Sequence, residues 1–315
     1  MKKGRLFIAL GIAAGIASIP AIAREDTVHL IVVTGIWIIV TSGLNLLTGY
    51  MGHVSFGQAG FFGFGAYISA LLSKMGLSVW LSFPISAMVT GAVGVLLGLG
   101  ILRLSGAYFA IGTLILGEVL YSVYYNWSPV TGGYMGLMNI PPLGFELPFM
   151  GEVTFSLVHW FYFVNLVLFL LVIFMRKLVR SQFGRELIAI RQNESLAESL
   201  GVNVKARKLQ CFGISCLLAG LGGAFYSHFM GHVSPSSFAV GRSLEFITIV
   251  IIGGLASLIG PFFGSYVLII MSLYMEFLGA WRMVVYGLII IFVMMFARGG
   301  IVSAIEKCFG VELRR

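Results

Sequence analysis

Glu118 stands inside a long apolar stretch, Thr113-Leu114-Ile115-Leu116-Gly117-Glu118-Val119-Leu120. A carboxylate among apolar side chains must protonate, find a partner or face a cavity. Glu118 is therefore a candidate pore-lining or gating group, with an interhelical hydrogen bond as the structural alternative. Glu245 and Glu276 fall near the outer ends of their apolar runs, where water can solvate them. His53, His228 and His232 do not combine with carboxylates at metal-ligand spacing, so no metal site is expected. Cys211, Cys216 and Cys308 lack such spacing too and read as small buried apolar residues. No Gly-x-x-x-x-Gly-Lys-[Ser/Thr] phosphate loop occurs. No catalytic residue or cofactor is expected, and any ATP consumed is hydrolysed on another chain.

A second group of residues is mechanical rather than catalytic. The segment from Phe183 to Gly201 is amphipathic: Leu187, Ile190, Glu194 and Ala197 share one helical face, while Arg185, Gln192, Ser195 and Ser199 fall elsewhere. Gly201 suits a helix C-cap. The spacing predicts one capped helix held out from the rest. Such a helix can dock in a groove of a partner and pass on its movement, or it can lie in lipid headgroups.

The elements that hold these residues are set by composition. Of 315 residues, 59% are hydrophobic and only 10% are charged. Soluble domains carry about 25% charged residues, so most of this surface faces lipid. The chain reads as an all-α polytopic membrane protein. The 41 glycines suit close helix approach, and small-residue pairs such as Gly94/Gly98 and Ala219/Gly223 read as packing seams. Apolar runs of about 20 residues predict ten spans, near 6–23, 28–47, 54–73, 79–102, 107–125, 156–175, 209–230, 246–260, 262–279 and 283–297. The eighth is short, and 246–279 is alternatively one helix broken at Gly260-Pro261. Residues 1–23 also have the form of a signal peptide.

The net charge of +8 does not point to nucleic acid, because the cations sit between apolar runs. Ten spans place 16 of the 20 Lys and Arg on one side, leaving Arg24, Lys74, Arg242 and Arg282 on the other. The cation-rich side is cytoplasmic, which puts both termini in the cytoplasm. Residues 126–155 hold no Lys or Arg and are expected outside; residues 176–208 hold eight against three Glu and are expected inside. An internal repeat is hinted at by Gly60-Phe61-Phe62-Gly63 and Phe262-Phe263-Gly264-Ser265-Tyr266.

The pattern Gly184-Arg185-x-Leu187-x-Ala189-Ile190-Arg191-x-Asn193-Glu194-x-x-Ala197-x-x-Leu200-Gly201 resembles the cytoplasmic segment of the branched-chain amino acid ABC importer permeases. So do Ser42 to Ala59, Ala107 to Thr113, Thr131-Gly132-Gly133 with Gly136-Leu137, and Leu218 to Ala224. The resemblance spans 28–300 in the family's order and is nearer to the larger, M-type subunit. Tyr134-Met135 departs from the polar residue often found after Thr-Gly-Gly.

The resemblance implies a single transmembrane permease domain over 1–315 in the inner membrane. It implies coupling to ATPases through Arg185, Glu186, Ala189, Arg191, Glu194, Glu198 and Gly201. Asn45, Thr113 and Glu118 are candidate pathway residues. The implied partners are two cytoplasmic ATPase subunits, a second permease subunit, an extracytoplasmic solute-binding protein and membrane lipid. Related importers for urea, amides or aromatic acids share the architecture. An ion-coupled secondary transporter is the less favoured reading, since it needs several ionisable groups within the spans.

Overall fold

The computed structural model describes residues 24–104, 106–147, 151–274 and five positions between 281 and 288. The expected span 6–23, most of 283–297, and Glu276, Arg282 and Cys308 lie outside these residues. Eight of the ten expected spans fall on helices. They are α1 (Glu25–Asn45, continued by a π-helical turn Leu46–Tyr50), α2 (Gln58–Lys74), α3 (Val79–Ile101), α4 (Ala107–Asn126) and α5 (Leu157–Arg180). After two short helices, α6 (Gln182–Gln192) and α7 (Glu194–Ser199), come α8 (Val204–Met230), α9 (Val240–Gly253) and α10 (Gly260–Tyr274). Among the described residues, six helical segments are long and apolar enough to cross a membrane, and α10 contributes a shorter apolar stretch.

The expected end of α1 near 47 is extended by the π-turn, and α8 starts five residues before its apolar run. Asn203 explains the early start: its Oδ1 accepts the Ala206 N–H at 3.1 Å, the bond of a helix N-cap. The alternative of one broken helix over 246–279 is not what forms. α9 and α10 are antiparallel, with Gly264 against the Ile249 carbonyl and Gly253 against the Gly260 backbone.

α8 is the central helix and packs on α1, α2 and α3. α1 is apolar on all sides and almost wholly enclosed from Val32 onward, as expected for a helix inside a bundle. The α2–α8 seam is made by glycine. A Cβ on Gly65 would run into the Gly220 backbone, and one on Gly223 into the Phe62 carbonyl. Lipid offers no hydrophobic drive for helices to associate, so close packing of this kind carries the interface. α3 turns its polar side inward: Ser82, Ser86 and Thr90 are buried and bond backbone carbonyls of their own helix. Its exposed face is Leu81, Ile85, Met88, Val89, Leu96 and Leu99.

The two long loops lie at opposite ends of α8, which rises about 40 Å. At one end, Leu137 and Val233 exchange backbone hydrogen bonds of 2.8 Å and Ile140 N–H donates to Gly231 O at 3.1 Å. At the other, Lys208 meets Glu194. The described residues of the first loop form a helical turn, Ser128–Thr131, a 3-10 turn, Gly133–Met135, and an antiparallel pair of β1 (Gly144–Leu147) and β2 (Gly151–Thr154), with Phe145 opposite Val153. Glu245 is not solvated as expected: it is buried and pairs with Arg242, which lies over the Trp37 ring at 4.9 Å.

Candidate functional site

The segment 182–201 is two helices, not one. Asn193 is extended (φ −160, ψ 110) and its Oδ1 accepts the Leu196 N–H at 3.0 Å, so it caps α7 and ends α6. Ser and Asn side chains favour such caps over helix interiors. The corner from α5 into α6 is tight. Gly184 has no room for a Cβ against the Val179 backbone, and Arg185 Nη1 donates to the Arg180 carbonyl at 3.0 Å. A cation there complements the negative end of α5. α7 ends as expected at Gly201, which has φ +86. Gly201 N–H bonds the Glu198 carbonyl and Val202 N–H the Ala197 carbonyl, the paired closure of a Schellman cap.

The apolar face predicted for docking is spent within the chain. Leu187, Ile190 and Ala197 are buried, and Ala189 is half-buried against the same core. Three of the charged residues are also engaged. Glu186 pairs with Arg207 of α8. Arg191 Nη1 donates to the Gly49 carbonyl at 2.6 Å. Lys208 Nζ, nearly enclosed, lies 2.6 Å from Glu194 Oε1. Arg185 and Glu198 are exposed. Outward, the module offers a different set of apolar residues: Ile188 at 39% exposure, Leu196 at 57% and Leu200 at 76%. On a helical frame these three fall within about 120° of arc, away from the buried Leu187, Ile190 and Ala197; the break at Asn193 is what the amphipathic pattern alone does not reveal.

His53 sits beside this module. Its Nδ1–H donates to the Met51 carbonyl at 3.3 Å, since that oxygen can only accept. Burial, and then the Lys208 charge, hold its pKa below the usual histidine value; the Met51 bond and Glu194 act the other way.

The three candidate pathway residues separate. Asn45 is buried and bonded on both sides: Nδ2 donates to the Ser257 carbonyl at 2.7 Å and Oδ1 accepts the Ala256 N–H at 3.1 Å. Thr113 is buried, accepts the Phe56 N–H at 3.1 Å and donates to the Ala110 carbonyl at 2.9 Å. Glu118 lines a groove. It lies with Leu114, Ile115, Ser122 and Asn126 along the outer face of α4, in a shallow depression of about 710 Å³. Ile111, Ile115, Val119 and Val123 on this face are exposed. The outer faces of α3 and α5 are greasy by comparison, while α4 alone among these three mixes a carboxylate, a hydroxyl and an amide into its face.

A bundle of long apolar helices with the cation-rich segment 176–208 at one end defines a polytopic membrane protein, and sequence comparison gives its family. The family model described as "Branched-chain amino acid transport system / permease component" matches residues 27–294. The high-affinity branched-chain amino acid transport system permease protein LivM of Escherichia coli is 33% identical over 319 positions, covering 95% of this chain and 75% of that protein. The probable branched-chain amino acid transport permease protein LivH of Methanocaldococcus jannaschii is 26% identical, covering 76% of each chain. The nucleoside ABC transporter permease protein NupC of Lactococcus lactis is 27% identical, covering 60% of this chain and 63% of that protein. No solved structure matches the chain. The chain belongs to the permease-component family of branched-chain amino acid transport systems.

Proposed function

We propose that this chain is the M-type permease subunit of an ATP-driven importer for branched-chain amino acids in the inner membrane, with its cation-rich end and both termini in the cytoplasm. The observation that carries this reading is the α6–α7 module. It is anchored to the bundle through Glu186, Arg191 and Glu194. It still presents Ile188, Leu196 and Leu200 to the outside of the chain. A rigid, internally braced element with an apolar tip is what helix-in-groove docking needs. Two cytoplasmic ATPase subunits supply the energy, one of them contacting this module.

The α4 face supports a second permease subunit. A carboxylate left against hydrocarbon costs about 2.5–3.5 kcal/mol on insertion scales, so the Glu118 face is better covered by a partner chain and the solute pathway than by lipid. An extracytoplasmic binding protein delivers the solute at the end formed by the loop 126–155. Its selectivity decides between branched-chain amino acids and the urea or amide class.

Co-expression with the candidate ATPases and second permease, with purification on a tag on this chain, tests the assembly. A stable complex that imports labelled leucine into vesicles is the expected result; failure of the ATPases to co-purify overturns it. Single cysteines at Ser128 and Ser195, both exposed, test the orientation. Only the first should react with an impermeant reagent on intact cells.

A further inference from the structure

Arg191 and Asn45 both make their hydrogen bonds at one irregular stretch of α1. From Leu46 to Tyr50 the helix is π-wound, and Met51 N–H bonds the Leu46 carbonyl, five residues back, at 3.2 Å. Arg191 of α6 donates to the Gly49 carbonyl at 2.6 Å. Its stem lies on Gly52, which has φ +83 and whose added Cβ would sit 2.8 Å from Arg191 Cγ. Asn45 holds both the Ala256 amide and the Ser257 carbonyl in the turn between α9 and α10. Ala256 has φ +57, an unfavoured conformation for a residue with a Cβ. Gly49 joins the two contacts, because a Cβ there would strike both Asn45 Oδ1 and the Ala256 amide.

Two further features mark the stretch as an element with more than one arrangement. π-turns are rare and sit at functional points of helices. Converting one to α-winding moves the chain beyond it by about one residue, roughly 1.5 Å and 100°. The Tyr50 hydroxyl is buried and has no hydrogen-bond partner among the described residues, and buried polar groups are rarely left so.

We propose that the π-turn Leu46–Tyr50 is the joint through which movement of the α6–α7 module reaches the bundle, with Arg191 and Asn45 as its positioning residues. Arg191 ties the joint to the module, and Asn45 ties it to the α9–α10 hairpin. The inference rests on the ATPase-contact reading of α6–α7.

The test uses the reconstituted complex and reads assembly, ATP hydrolysis and import separately. Arg191→Gln should co-purify with the ATPases and hydrolyse ATP, but import per ATP should fall about tenfold, within the range of coupling that single residues carry. Arg191→Lys, whose ammonium can still donate to the Gly49 carbonyl, should recover most of that loss. Asn45→Ala, which cannot touch the module, should show the same uncoupling. Normal import per ATP in both Arg191→Gln and Asn45→Ala overturns the joint while leaving the docking reading intact. Loss of co-purification in Arg191→Gln reassigns that residue to docking, against the proposal. In the unaltered complex, amide exchange at Met51 and His53 should change when a non-hydrolysable nucleotide binds; unchanged exchange overturns the joint as well.

Discussion

Lys208 of α8 is buried, and its Nζ lies 2.6 Å from Oε1 of the half-exposed Glu194 on α7. This pair ties the α6–α7 module to the central helix. Removing the carboxylate strands a nearly enclosed ammonium, so Glu194→Gln should cost about 1–3 kcal/mol. The expected readout is a lower Tm in detergent. Adding Lys208→Met should restore part of it, because the unpaired charge is gone. Glu194→Gln with an unchanged Tm would show that water already solvates Lys208.

The tip of the module is the place to break docking without damaging the fold. Leu200→Asp and Leu196→Asp sit on exposed side chains, so membrane insertion and Tm should stay unchanged. Interface anchors carry about 2 kcal/mol or more each, which should reduce ATPase co-purification by more than tenfold. Ala189→Glu is a less clean probe, since Ala189 packs partly against the chain's own core. Full co-purification of Leu200→Asp would move the contact elsewhere.

Glu118→Gln keeps the size and the capacity to hydrogen-bond but cannot ionise. Expression and assembly should persist, and the import rate should change severalfold, because the group lines the α4 groove. Import at the original rate would leave Glu118 as an interface hydrogen bond only.

His53 gives a pH dependence with a definite sign. Its folded pKa is lowered from 6.5, chiefly by burial and then by Lys208. The unfolded chain therefore takes up this proton first as pH falls. The His53 contribution is intact above about pH 6.5 and is lost progressively below it. Comparing Tm at pH 7.5 and 5.5 for the protein and His53→Gln checks this: the variant should lose less on acidification. Equal losses would remove His53 as a source.

The membrane-embedded helices are legible from apolar length and charge alone, because lipid enforces both. The ends of helices are not. Asn193 and Asn203 each start a helix by capping it, and hydropathy is blind to a single side-chain oxygen. An Asn next to Glu194, an acid suited to a first helical turn, is the available signal. The site is half legible. The segment 184–201 stands out by pattern and its apolar face is the one that packs inward, but the ion pairs with Lys208 and Arg207 of the next helix are not visible in the pattern. Asn45 and Thr113 look alike in sequence as polar residues in apolar runs. Only the fold shows that their hydrogen bonds are already taken.

The bond from Asn45 to the α9–α10 turn joins residues 212 positions apart. During synthesis, Asn45 is made well before its native partners, and the matching backbone groups emerge only after about two hundred further residues. Those groups, Ala256 N–H and Ser257 C=O, take the Asn45 amide as their partner in the folded chain. The order of manufacture thus sets the earliest moment at which this contact can close: not before the turn between α9 and α10 has been made.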